Sequence, residues 1–196
     1  MSELSGKRRQ IIEGAVAEFQ EHGFSGVSMD RVAARANVSK RTVYNHFDSK
    51  EALFRAILDI MLEACSEAFT VSYIPGEPIQ DQLVKLGWAE GQLLTSRDFM
   101  KLARMVVGET MRDPDLAAEM NRKMDHMSMF NRFMEAAIAD TALDAENAEL
   151  VATQFVGLIK AQAFWPMVFS DDIISREEMD VLIDDSVDMI LSRYGK

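Results

Sequence analysis

The sequence predicts an all-α fold, and three observations lead there. Apolar residues recur at spacings of three and four along most of the chain, the stripe of an amphipathic helix. Proline is scarce (4 of 196 residues) and glycine modest (10), which suits helices joined by short connections. Strand-like runs alternating Val, Ile, Thr and Tyr are missing. With 48% hydrophobic residues the chain can fill the core of one ordinary domain or two small ones.

About nine helices are expected in order. The first covers 5–21, where Ile11, Ile12, Ala15, Val16 and Phe19 form one stripe. His22-Gly23 ends it, glycine supplying a left-handed cap. Ser28 caps a short helix through 36, with Val32, Ala33 and Ala36 turned inward, and Ser39 caps another through His46. Asp48 opens Asp-Ser-Lys-Glu, a capping-box pattern launching a long helix over 49–69 with Ala52, Leu53, Ala56, Ile57 and Ile60 inside. Tyr73-Ile74-Pro75-Gly76-Glu77-Pro78 is the strongest break. Beyond it helices are expected over 79–95, 97–112, 114–140, 145–169 and 176–193. Asp113-Pro114 reads as a cap followed by proline at the first helical position. Pro166 kinks or ends the helix it falls in, because it removes a backbone donor. Ser175 through Glu178 is a second capping box.

The net charge of −11 divides unevenly. Residues 1–60 carry nine Lys/Arg against eight Asp/Glu, a net of +1, and residues 61–196 carry 12 against 24, a net of −12. Within 28–47 four cations face the single anion Asp30. That is a local basic surface on an acidic body, and local potential governs phosphate binding. A non-specific architectural DNA binder would instead be broadly basic. Metal chemistry finds no cluster of His, Cys and carboxylates at ligand spacing, since His22, His46 and His126 are scattered. Asp125 and His126 are sequential on a helix and point apart, and no glycine-rich phosphate loop is present. No enzyme activity, cofactor or metal is expected. Cys65 is the lone cysteine, and no run of about 18 apolar residues could span a bilayer. A cytoplasmic protein without a membrane partner is the expectation.

Two short helices joined through Ala36-Asn37-Val38 make a helix-turn-helix. Asn37 is among the few non-glycine types that accept a positive φ, and Val38 plugs the corner. The second helix then exposes Lys40, Arg41, Tyr44 and Asn45, donor-rich chemistry suited to a major groove. Gly23-Phe24, Val27-Ser28-Met29, Val32-Ala33, the run Ala36 through Phe47, and Ser49-Lys50-Glu51-Ala52-Leu53-Phe54 together resemble the DNA-binding domain of the TetR/AcrR repressors, in order over roughly residues 7–58. The resemblance implies that Ser28, Thr42, Tyr44, His46 and Lys50 grip or face phosphates. It implies that Lys40, Arg41, Tyr44 and Asn45 approach base edges. With the cap Ser39 these form the expected DNA-binding set. The sequence departs from the family pattern at Asn37, where glycine is common, and at Arg41, where glycine or proline is frequent. Arg41 either reads a guanine or grips phosphate.

A helix-turn-helix domain over 1–50 is thus expected, connected through helix 49–69 to a ligand-binding and dimerisation domain over 51–196. Eight of the 14 methionines fall between Met100 and Met134, a soft apolar surface that suits a ligand cavity as well as ordinary core. The expected ligand set is Trp88, Met105, Glu109, Met124, Met127, Phe130, Met134 and Phe155. The effector is a small hydrophobic molecule, cationic if Glu90 or Glu109 faces inward. Small and large apolar residues alternate over 145–169, and the last two long helices look like half of a four-helix bundle with a twin. Ala152, Phe155, Ile159, Ala163, Leu182 and Met189 are the expected homodimer residues. Phe155 through Lys160 and Phe164-Trp165-Pro166 resemble the AefR-like subgroup of the family. The resemblance implies a repressor of a pseudo-palindromic operator, released by ligand and controlling efflux or stress genes. A member that activates, or that has no ligand, is the alternative.

Overall fold

The computed structural model describes residues 6–68, 70–123 and 127–196. These form eleven helical segments: α1 (Gly6–Gly26), α2 (Met29–Arg35), α3 (Lys40–His46), α4 (Lys50–Ala68), α5 (Ile79–Leu94), α6 (Arg97–Thr110), α7 (Pro114–Lys123), α8 (Met127–Ala139), α9 (Ala148–Ala163), α10 (Trp165–Val168) and α11 (Arg176–Tyr194). No strand occurs among the described residues. The two segments beyond the expected nine arise from two long expectations. The stretch 114–140 contains α7 and α8, on either side of residues 124–126, which lie outside the described residues. The stretch 145–169 divides at Phe164, after which the four-residue α10 carries Pro166 in its first turn.

The local signals act as their chemistry requires. Gly23 has φ 69° and ψ 158°, a kink inside α1 after which a last helical piece runs to Gly26. Asp113 Oδ1 accepts from the amides of Asp115 (3.0 Å) and Leu116 (3.1 Å), the cap of α7. The Ser175–Glu178 box is reciprocal, with bonds of 2.8 and 3.1 Å. One cap is displaced by a residue: Ser49, not Asp48, accepts from the amide of Ala52 (3.0 Å) at the start of α4. A serine hydroxyl at the position directly before the helix meets the third amide, which the residue before it overshoots.

The chain divides into two compact units. The first comprises residues up to Ala64 together with Lys101–Met124, and the second Cys65–Met100 with Asp125–Lys196. In the first unit, α7 is tied to α4 by ions. Arg55 Nε donates to Glu119 (2.9 Å), and Lys123 Nζ reaches both Asp59 (2.8 Å) and Glu119 (3.0 Å).

The second unit is built around α9, which packs on α5, α8, α10 and α11. Its core includes Leu83, Leu86, Phe130, Phe133, Phe155 and Ile183. Gly87 lets α5 meet α11: a Cβ there would stand 2.8 Å from Ile183 Cγ2. The Pro75-Gly76 turn is held by one buried amide. Gln82 Oε1 accepts from the Ile74 amide (2.7 Å), while its Nε2 donates to the carbonyls of Ile74 and Glu77 (both 3.0 Å). No helix among the described residues is long and apolar enough to cross a membrane.

Candidate nucleic-acid interface

The surface that would meet DNA is set from beneath by α1. Phe19 of α1, Phe24 and Phe54 of α4 form an aromatic cluster with centroids 5.3, 5.2 and 6.1 Å apart. Gly14 lies against α2, where a Cβ would stand 2.9 Å from Ala36 Cβ and 3.0 Å from its backbone nitrogen. The two helices therefore touch almost backbone to backbone. Beside that contact Glu18 is buried, at 5% exposure. Arg31 Nε donates to its Oε2 at 2.8 Å, and Arg35 Nη1 lies 3.7 Å from its Oε1 and 3.2 Å from Glu21. The bond from Arg31 holds the Glu18 carboxyl below its usual range against the opposing effect of burial, with the charges of Arg31, His22 and Arg35 adding to it. Glu18, Glu21 and His22 offer ligand atoms within 4.8 Å of one another, but two guanidinium groups already supply the positive charge there.

The helix-turn-helix has the expected joint. Asn37 adopts φ 49°, and the Val38 amide donates to the Ala33 carbonyl (3.0 Å). Ser28 caps α2 by accepting from the Arg31 amide (3.3 Å). Ser39 caps α3 by accepting from the Thr42 amide (3.1 Å), and its hydroxyl shares a 2.7 Å bond with the Thr42 hydroxyl. Val43 faces the core, fully buried, and Phe47 closes the helix. Arg41, Tyr44, Asn45 and His46 are left exposed on the other side.

Besides these hydroxyls, both lysines of the expected set are engaged within the protein. Lys40 bonds Asp30 through both carboxylate oxygens (2.8 and 3.0 Å) and stands 5.9 Å from the Tyr44 ring centroid. The Asp30 bond raises its proton affinity. Lys50, half-buried, donates to the Phe24 carbonyl (2.8 Å) and lies 4.4 Å from the Phe24 ring centroid. It fastens the start of α4 to the end of α1. Sequence reasoning missed Gly14, the Glu18 network and the role of Asp30. An acid at position 18 inside the apolar stripe of α1 was the available signal, because such an acid needs a buried partner.

The other expected sets fare differently. Trp88, Met127, Phe130, Met134 and Phe155 come together in or against the core of the second unit. Trp88 Nε1 donates to Asp180 (3.1 Å), and Arg176 lies over its ring. Met105 and Glu109 belong to the first unit, with Glu109 3.8 Å from Arg112. Met124 lies outside the described residues. Of the expected dimer residues, Ala152, Phe155, Ile159, Ala163 and Leu182 are buried inside the chain's own core. Met189 alone among them is exposed, at 59%. The cause is that α9 is apolar around most of its circumference, so periodicity does not select which face turns inward. The outer sides of α9 and α11 instead flank a groove of about 440 Å³ lined by Gln154, Gly157, Leu158, Ala161, Met189 and Arg193 among others.

Comparison with known proteins now decides the lineage. Residues 81–196 match the C-terminal domain of AefR-like transcriptional repressors, and residues 11–57 match the bacterial regulatory proteins of the tetR family. The chain belongs to the TetR family. A TetR-family transcriptional regulator from Pseudomonas syringae pv. tomato shares 38% identity, with 98% of this chain and 99% of that one covered and a TM-score of 0.83. The regulator RutR of Escherichia coli K12 is 31% identical over 134 residues, and the match spans 64% of this chain but only 60% of that relative's length. The flavonoid-responsive regulator FrrA is 25% identical with a TM-score of 0.71 and 98% of each chain covered. TetR-family proteins are DNA-binding transcriptional regulators, and the exposed face of α3 is where such a protein would carry its reading chemistry.

Proposed function

We propose that this TetR-family chain is a homodimeric repressor that reads a pseudo-palindromic operator through α3 and is released by a small apolar effector. The observation that carries it is the outward row Arg41, Tyr44, Asn45 and His46 on a short helix whose inner side is fixed by Val43 and Phe47. Arg41 supplies paired donors for a guanine edge, Asn45 a donor and an acceptor for an adenine edge, and Tyr44 the stacking and hydroxyl contact. Ser28, Thr42 and His46 face phosphates; Lys40 joins them once it leaves Asp30. Two such readers set about one helical turn apart (roughly 34–36 Å) fit two half-sites.

The twin docks on the outer groove of α9 and α11, where Gly157, which meets nothing within 4 Å, permits close approach. Effector sensing falls to the second unit, with its core of phenylalanines and methionines. A relative described as flavonoid-responsive supports a small aromatic effector. An effector that prefers one arrangement of the readers lowers operator affinity by its difference in affinity between the two states, and the operator weakens the effector equally.

Fluorescence anisotropy tests this on DNA from upstream of the chain's own gene and on sites selected from random DNA. Arg41→Ala and Tyr44→Ala should each weaken specific binding roughly 10- to 100-fold. Binding that stays weak and indifferent to sequence on the selected sites would overturn it.

A further inference from the structure

Glu90 is the least settled side chain in the second unit. It is 3% exposed on α5. One oxygen, Oε1, lies 3.3 Å from Lys160 Nζ of α9, and the other, Oε2, is buried with no hydrogen-bond partner. A carboxylate has about four acceptor positions, so most of its capacity is unused. Burial raises its proton affinity, and Lys160 offsets only part of that. Among the described residues the buried side-chain atoms left without partners are Glu90 Oε2 and Asn131 Oδ1 of α8, both acceptors and both in this unit. The unit therefore wants donors.

Two neighbours define the place. Cys65, near the end of α4, has its thiol pushed up to about 11 by burial and then by the Glu90 charge. Lys160 Nζ stands 5.8 Å from the Phe164 ring centroid, which gives the spot an aromatic wall. Helices α5 and α9 thus meet at one ion pair.

We propose that Glu90 and Lys160 anchor the effector, and that the effector is a neutral aromatic molecule bearing a hydroxyl donor, a phenol, rather than a cation. The inference rests on reading the second unit as the sensor. Charge bookkeeping selects the class. Lys160 already neutralises Glu90, so a second cation at Oε2 would lie close to the ammonium and be repelled. An anion would meet the carboxylate. A phenolic O–H donates to Oε2 as a charge-assisted bond and adds no net charge. Its ring then lies among the apolar side chains of the core that α5 and α9 share.

The test is calorimetry on the full chain with matched probes. These are 2-naphthol against 2-methoxynaphthalene, and apigenin against its trimethyl ether, with tetraphenylphosphonium as the cation. The phenols should bind, their ethers at least about 10-fold more weakly, and Glu90→Gln should remove most of that preference, since a neutral acceptor makes the weaker bond. Phenol binding should also lower operator affinity. Should E90Q fold poorly, the double variant E90Q/K160M removes both charges and is held to the same loss. Equal binding of phenol and ether, binding of the cation alone, or no phenol binding overturns the proposal; in the last case a buried water satisfies Oε2. Operator binding by the unliganded protein is measured in parallel. Its loss would count against the repressor reading, whereas intact operator binding with no phenol response counts against this proposal alone.

Discussion

Two buried carboxylates, one in each unit, end in opposite conditions. Glu18 is 5% exposed and Glu90 3%, so burial does not separate them. Glu18 meets two guanidinium groups from α2, one bonded to Oε2 at 2.8 Å and the other paired with Oε1 at 3.7 Å, and its proton affinity falls. Glu90 meets one ammonium, a point charge that reaches one oxygen, and its proton affinity rises. The difference teaches that the reader unit is finished without a ligand. Its acid locks α1 to α2 and holds the reading helix on a fixed base. The second unit keeps an acceptor unmet where α5 meets α9, which is costly for folding alone and useful for binding.

The largest expected effect tests how closed the reader is. Gly14→Val should destabilise the first unit by about 3 kcal/mol, because even its Cβ meets Ala36 and the overpacked helices must separate. Gly157→Ala on the outer side of α9 has open space within the chain and should leave the chain's own fold intact, its cost falling on the twin's approach and hence on operator binding. Circular dichroism melts of both variants, with operator binding by anisotropy, measure the contrast. A tolerated valine at position 14 would show that the reader is looser than its contacts imply.

Next come the acids themselves. Glu18→Gln should cost about 2 kcal/mol by weakening a charge-assisted bond at a buried site. Glu90→Gln should fall within about 1 kcal/mol of neutral or be stabilising, because it removes a poorly compensated buried charge while Lys160, partly exposed, can turn to water. Urea denaturation of the three proteins ranks them, and equal losses would erase the contrast.

The same pair should respond to pH with opposite signs. The folded Glu18 carboxyl ionises below its ordinary 4.5, so its contribution is complete above that value and disappears as pH falls through the folded value. The folded Glu90 carboxyl ionises above 4.5, so whatever stability it gives is present below that value and is lost as pH rises through the folded one. Melting temperature of wild type minus E18Q should therefore shrink toward acid, and wild type minus E90Q should grow. Parallel curves would contradict the two environments described.

The smallest effect concerns Asp30, the anion on the reading surface. Asp30→Asn frees Lys40, and the slope of log affinity against log salt should steepen by about 1, the release expected for one more phosphate contact. Binding to random DNA should strengthen more than binding to the operator. An unchanged slope would mean that Lys40 reaches phosphate regardless of Asp30.

Much of this architecture was legible from local chemistry. The Ser28, Ser39 and Ser175 caps, the positive φ at Asn37 and the break at Pro166 each depend on a few neighbouring residues, and the structure follows them. The exposed row on α3 was legible for the same reason. What escaped depends on partners far along the chain. Periodicity names the face of α1 that is buried but not that Gly14 meets Ala36 or that Glu18 meets Arg31. It cannot tell that Lys50 is spent on Phe24, 26 residues away. On α9, apolar nearly all round, it offered two faces, and the expected dimer residues fell on the inner one.

The clasp made by Gln82 also shapes how the turn before α5 meets solvent. Ile74 has its side chain half outside, at 49% exposure, yet its amide is bonded to a side chain that is 2% exposed. In deuterated water the turn should therefore exchange unevenly, the Ile74 amide slower than that of Glu77, whose bond to the Ile74 carbonyl is longer at 3.4 Å. That single slow proton reports on the root of α5, the helix that carries Glu90, and so offers a clock on the sensor that needs neither DNA nor effector.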